Sequence, residues 1–308
     1  MAAIRKKTIK NHTYYYLEHS FREGNRVHKK EKIIGKTMPE DIETLKNEYM
    51  TEIMAEIYQK IWFVKFDKIK AEFLHQEKII PKSAREKEIE TFAIRFTYDT
   101  NRIEGSTLTL RETANLLEKG ITPDARPIRD VMEAQSHKDA FYEILKYEKD
   151  LSLNTILYFH KKLFESTKAD IAGIIRAHQV AIAGSKFMPP FPAEIYPLLM
   201  EFFNWYDRNK DKMHPVQLAA LVHLKLVTIH PFADGNGRIS RLMMNFVLHK
   251  NDFPMLNIPY EKRAGYYRAL ERSQTRKQEN IFLIWFFKRY LNECRIYRTD
   301  NEEINYEK

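Results

Sequence analysis

The segment Val216 to Ile229 is apolar around almost its whole circumference, through Leu218, Ala219, Ala220, Leu221, Val222, Leu224, Leu226 and Val227. A helix of that composition has no face for water, so other elements must enclose it. At 308 residues the chain is long enough to supply them. The sequence from Pro39 onwards reads as almost all helix, and a mainly α bundle around this central rod is the expected fold class. The rod runs straight into His230, so whatever that histidine does is mounted on the most rigid part of the chain.

The next twelve residues, His230 to Arg241, read H-P-F-A-D-G-N-G-R-I-S-R. Gly235-Asn236-Gly237 can take positive φ values that aim successive N–H groups at one point, an anion nest. Arg238 to His249 has helical periodicity, so the nest also lies at a helix N-terminus, with its free N–H groups and positive dipole end. Arg238 and Arg241 are three apart and share a helix face, so both are expected to reach one phosphate chain. Asp234 is a hard oxygen ligand suited to Mg²⁺ or Mn²⁺. His230 titrates near neutrality and can serve as a general base. Singly, each of these residues is more economically a loop cap, a buried histidine or a solvated arginine. Their combination points to a bound nucleotide triphosphate.

Composition removes other chemistries. Cys294 is the only cysteine, which excludes an intrachain disulfide or a thiolate cluster. The histidines form no H-E-x-x-H pair, and no G-x-x-x-x-G-K-[ST] loop occurs. No apolar run reaches membrane-spanning length, and M-A-A-I-R-K-K has no signal-peptide core, so a soluble cytoplasmic protein without membrane contact is expected.

Charge is uneven. Residues 1–36 hold ten Lys/Arg against three Glu, a net +7 of the chain's +9. Thr13–Phe21 and Arg26–Ile34 read as two strands around a Glu23-Gly24-Asn25 turn. This basic hairpin, with Tyr14, Tyr15 and Tyr16, is open to two readings: nucleic-acid contact, or tyrosines packed against the rest of the protein. Helices follow over Asp41–Ile80 and from a Ser83 cap to Glu104, with Gly105 as the left-handed stop. A Thr109/Glu112 capping box starts another that stops at Gly120. Further helices are expected near Arg126–Lys149, Asn154–Glu165 and Ala193–Asn209, with a hairpin-like alternation over Gln179–Phe187 before Pro189-Pro190.

The 230–241 run resembles the H-x-F-x-[D/E]-G-N-G-R-x-x-R signature of the Fic family, with all eight fixed positions filled. The likeness extends over roughly residues 86–295. It divides the chain into a basic appendage (1–37), a helical segment (38–85), the Fic domain (86–295) and a polar tail (296–308). It implies a Fic-type bundle with a small β-hairpin flap, and an enzyme that transfers AMP from ATP·Mg²⁺ to a Ser, Thr or Tyr hydroxyl of a target protein. His230 is then the base, Asp234 the metal ligand, and Gly235, Asn236, Gly237, Arg238 and Arg241 the phosphate site. Ala183, Gly184, Ser185, Lys186 and Phe187 match the flap, which registers the target by β-augmentation. Tyr266 and Tyr267 fall where relatives carry aromatics beside adenine, and Gln274 where a polar base contact, often Asn, occurs. Thr100-Asn101-Arg102-Ile103-Glu104-Gly105 matches the [S/T]-x-x-x-E-[G/N] pattern of an inhibitory helix, here about 86–104. Glu104 is expected to pair with Arg241 and so misalign the nucleotide. The resemblance also allows hydrolysis of AMP from a modified protein by the same site, and a homodimer. A different nucleotide or phosphate donor is the other transferase reading, although the intact Gly237 argues against a phosphotransferase. The non-enzymatic alternative is a nucleic-acid-binding regulator built on residues 1–36.

Overall fold

The computed structural model of this chain describes residues 2–23 and 26–297. Two compact units divide after Asp67. The first unit holds an antiparallel sheet of order β1-β2-β3, formed by β1 (Ala3–Ile9), β2 (His12–Glu23) and β3 (Arg26–Gly35). The sequence suggested two strands, and β1 is the correction. Its turn, Lys10-Asn11, has φ of 47° and 61°. This is a two-residue reversal whose twist suits a hairpin but which carries no glycine to announce it. Lys6 stands opposite Tyr15, with its ammonium 5.3 Å from the ring centroid. Gly24 and Asn25 of the expected second turn, and most of the expected C-terminal tail, lie outside the described residues.

Helix α1 (Ile42–Ile57) belongs to the same unit, with Leu17 of β2 and Tyr49, Ile53 and Ile57 buried. A π-helical segment, Tyr58–Phe63, follows it and buries Tyr58, Trp62 and Phe63. Lys29 pairs with Glu31 at 2.9 Å, Lys30 with Glu56 at 2.8 Å and Lys32 with Glu52 at 3.0 Å, while Lys7 also meets Glu31. Lys7, Lys29, Lys30 and Lys32 are therefore paired with carboxylates inside their own unit. That weakens the reading of this sheet as a free cationic face.

Helix α2 (Val64–Ile79) spans the division, and among the described residues the second unit continues with helices. They are α3 (Lys82–Ile103), α4 (Leu110–Lys119), α5 (Ile128–Ile144), α6 (Leu153–Phe164), α7 (Pro192–Asn209), α8 (Pro215–Ile229), α9 (Asn236–Lys250), α10 (Arg263–Arg276) and α11 (Glu279–Glu293). The apolar rod is α8, buried from Val216 to Ile229 except Gln217, Lys225 and Thr228, and flanked by α7, α9 and α11. The Thr109/Glu112 capping box forms, and Gly120 ends α4 at φ 67°. Gly105, at φ 100°, turns the chain after α3. Ser83 does not cap α3: Pro81 takes the N-cap position and its ring presets the entry angle.

Candidate active site

The α8–α9 junction is a strained loop braced from several sides. His230 caps α8 in the left-handed region, φ 53° and ψ 56°, a conformation that costs a non-glycine residue about 1 kcal/mol or more. Its N–H donates to Leu226 O at 3.0 Å. Its Nδ1 lies 3.2 Å from Val227 O, and since a carbonyl only accepts, the ring proton sits on Nδ1 and Nε2 is left as a base. Burial, with the nearby Arg176 charge, lowers the His230 pKa, so the neutral ring prevails at pH 7.

Asn236 closes the loop with a reciprocal amide pair. It accepts from Phe232 N at 2.9 Å and donates to Phe232 O at 2.8 Å. Its side chain is thus a staple, and only its main-chain N–H faces the anion site. Gly235 has φ 80°, and a Cβ there would lie 2.2 Å from the Phe164 ring, so both conformation and space demand glycine. Gly237 is different from the expectation. It is helical, and the left-handed turn of the nest comes from Gly235 alone. What Gly237 provides is room: a Cβ would lie 2.2 Å from Glu104 Oε1 and 3.0 Å from Arg241. The N–H groups of Asn236, Gly237 and Arg238, the first turn of α9, make a candidate anion site.

The two arginines do not converge. Arg238 is 3 % exposed and turns toward Glu133 of α5, with Asp234 3.5 Å away and the Phe164 ring beneath it. Arg241 is 1 % exposed and turns toward α3. It donates to Glu104 Oε1 at 2.7 Å and Thr100 O at 3.1 Å, with Tyr266 OH at 3.3 Å. Spacing placed them on one face, but long side chains leave a shared face in the directions their buried acceptors dictate. The Arg241–Glu104 contact expected from the sequence is present.

Asp234 lies against Lys168, and its carboxylate accepts from Gly235 N at 2.5 Å. Burial alone would raise its pKa, but Arg238 and Lys168 outweigh that and hold the carboxyl below its ordinary value. Among the described residues no group of three or more His, Cys, Asp or Glu side chains is placed to hold a metal alone. One ionised carboxylate is the donor set of a Mg²⁺ that takes its other ligands from phosphates and water.

The expected base-contact residues separate. Tyr266 is fully buried with its hydroxyl between His223 and Arg241, so it presents no ring face to a ligand and supports Arg241 instead. Tyr267 is half-exposed and donates to Ile103 O at 3.0 Å, fastening the end of α3. Gln274 donates to Thr228 at 3.1 Å and lines a cavity of about 360 Å³ with Phe202, Trp205 and Ile229.

The flap residues form no strand. Residues 179–190 are an extended loop turning at Gly184 (φ 76°), with Ser185 N donating to Ile182 O at 3.1 Å. Pro189 and Pro190 bring no N–H to a ladder, and side chains hold the loop instead. Gln179 donates to Pro189 O at 2.9 Å, and Glu271 accepts from Lys186 N at 2.5 Å. Ala183, Gly184 and Lys186 are exposed, and Ser185 and Phe187 are half-buried.

Sequence reasoning missed Glu133, His160, Lys168, Arg176 and Glu271. His160 accepts from Gly173 N at 2.9 Å on Nδ1, so its Nε2–H donates to Asp234 O at 3.0 Å, and its ring stacks on Phe232. None of these sits in a motif. Glu133, for one, meets Arg238 across 105 residues, and no local spacing signals such a pairing.

Residues 150–248 match the Fic/DOC family model. Over those residues the chain carries a segment similar to the Fic/DOC family. It is 35 % identical over 182 residues to a protein adenylyltransferase fic-1 of Caenorhabditis briggsae, covering 57 % of this chain and 35 % of that one. It is 35 % identical over 201 residues to a protein adenylyltransferase Fic of Drosophila ananassae, covering 64 % and 39 %. The chain thus spans well under half the length of these curated relatives. A Fic-domain signaling protein from Bacteroides thetaiotaomicron superposes with a TM-score of 0.67 at 25 % identity, over 76 % of this chain and 95 % of that one. Fic-1 (aa134–508) from C. elegans gives 0.67 at 26 %, over 84 % and 77 %. The Fic likeness thus reaches well beyond the motif. Separately, no described helix is long and apolar enough to cross a membrane.

Proposed function

We propose that this Fic-family chain transfers AMP from ATP to a hydroxyl of a target protein and is restrained by its own Glu104. The observation that carries the restraint is the 2.7 Å Arg241–Glu104 pair standing over Gly237, at the mouth of the α9 anion site. A carboxylate there repels a terminal phosphate and withholds the Arg241 guanidinium from it. Nucleotide can still bind, but with its α-phosphate displaced, and a misplacement of about 1 Å costs about a hundredfold in rate. The relatives named as adenylyltransferases support the reaction class.

In the released state the phosphates rest on the α9 N-terminus, and Arg241 is free to hold them. Arg238 stays with Glu133 and Asp234 and orders the loop. His230 Nε2 accepts the proton of the attacking hydroxyl, an oxygen–phosphorus bond forms at the α-phosphate, and the bond to the pyrophosphate oxygen breaks. A Mg²⁺ on Asp234, for which Lys168 must yield an oxygen, would neutralise charge developing on the leaving group. The loop 179–190 lies beside this path and is suited to hold an extended piece of the target.

The test is transfer of label from α-labelled ATP with Mg²⁺. Glu104→Gly is expected to raise labelling about a hundredfold over the unaltered chain. Equal labelling would remove Glu104 from the account. Absence of labelling in both, with AMP released from a modified protein instead, would replace transfer by the reverse hydrolysis.

A further inference from the structure

Arg176 is the most unusual buried charge in the molecule. It lies between α6 and α7 and is 4 % exposed. Among the described residues no carboxylate pairs with it. Its side chain instead donates to three main-chain carbonyls: Nε to His230 O at 2.9 Å, one terminal nitrogen to His178 O at 2.8 Å, and the other to Pro190 O at 2.7 Å. Its own N–H donates to Pro231 O at 3.0 Å. Burying a cation without a counter-ion is costly, and only good hydrogen bonds offset it. The rigid fork of a guanidinium can satisfy three carbonyls at once, which an ammonium on a flexible stem cannot do in this geometry.

The three acceptors are not equivalent. His178 and Pro190 are the two ends of the exposed 179–189 loop. His230 is the strained residue whose ring faces the site. With His230 N bound to Leu226 O and Nδ1 to Val227 O, the Arg176 bond fixes the remaining side of the residue and leaves only Nε2 uncommitted. The guanidinium also sits at the C-terminal end of α8, where its charge favours the helix dipole. Just upstream, Gly173 (φ 72°) presses on α6 so closely that a Cβ would lie 3.0 Å from Leu157 O, and its N–H is held by His160. The segment 173–176 is therefore anchored at one end on α6 and at the other on the 230–235 loop.

We propose that Arg176 is a positioning residue that ties both ends of the 179–189 loop to the backbone of His230, so that the acceptor held by the loop and the base arrive in register. This rests on the transfer reading above. A loop fastened only to the helix that follows it could move without His230. Fastened through one guanidinium, it cannot.

The experiment uses the full chain with Glu104→Gly, which frees the site, and adds Arg176→Ala or Arg176→Lys. Arg176→Lys keeps charge and bulk and serves if the alanine variant does not fold. Expected for both is a fall of about a hundredfold in kcat for transfer, with nucleotide affinity measured by calorimetry nearly unchanged. Guanidinium ion restores part of the rate to Arg176→Ala, and methylammonium does not. Two readouts are independent of transfer: the His230 ring titration by NMR moves upward in Arg176→Ala, and the 179–189 loop becomes more accessible to protease in both variants. If the Glu104→Gly parent transfers no AMP, the proposed function fails, and these two readouts still judge Arg176. Parallel loss of kcat and nucleotide affinity, no rescue by guanidinium, or an unmoved His230 titration with an unchanged digestion pattern would overturn the proposal.

Discussion

Two loops flank the site, and each turns on a left-handed glycine: Gly235 at φ 80° in the 230–235 loop and Gly184 at φ 76° in the 179–190 loop. They are built in opposite ways. Around Gly235 the ring of Phe164 leaves no space for a Cβ, Asn236 staples Phe232 at both main-chain groups, and His160 holds Asp234 O. Around Gly184 nothing lies within 4 Å of a built Cβ, and support comes at a few points from Glu271, Gln179 and Arg176. The first loop is finished by the fold itself, as a site that aligns phosphate and base must be. The second keeps open backbone, which suits the proposed role of meeting a variable protein segment. Preorganisation is concentrated where the proposed chemistry is, and openness where the proposed recognition is.

The comparison is tested most severely at the base. In the Glu104→Gly background, His230→Gln is expected to lower transfer by about 10²–10⁴-fold while leaving nucleotide affinity nearly intact. Loss of binding instead would make His230 part of the scaffold. Next come the two glycines. Gly235→Ala meets both strain and a ring, and is expected to destabilise by about 2–4 kcal/mol, read as a lower denaturation midpoint. Gly184→Ala meets strain alone and should cost about 1 kcal/mol. Equal costs would erase the distinction between a packed and an open loop.

A further test is pH. Burial holds His160 neutral down to about 4, and His137 and His223 down to about 3. The unfolded chain protonates these rings near pH 6.5. Their contribution to stability is therefore complete above about 6.5 and declines as pH falls toward 4, because the unfolded state then binds more protons. A melting temperature that drops between pH 7 and pH 5, before most carboxylates titrate, is the expected result. A flat profile over that window would show that the buried rings do not carry the packing of the catalytic loop. Activity in the Glu104→Gly variant should likewise fade on the acid side, at a pH below the ordinary histidine value because the His230 pKa is lowered.

Legibility divides along the same line as the two loops. The α8 rod, the Thr109/Glu112 box, the Gly120 and Gly105 stops and the 230–241 motif could all be read because their signals are local: periodicity, capping pairs and glycines at fixed offsets. The directions of Arg238 and Arg241 could not be, since each is set by an acceptor on another helix, Glu133 or Thr100 and Glu104. The same holds for Tyr266, read as a base contact and found beneath Arg241, and for the flap, whose hairpin-like alternation forms no ladder without a partner strand. Sequence alone determined that a base, a carboxylate and an anion-binding turn would stand together at the end of a buried helix. Tertiary structure decided which of their atoms remain available. Burial makes an unpaired polar group costly, and a partner 54 to 141 residues away is chosen by the fold and not by the spacing.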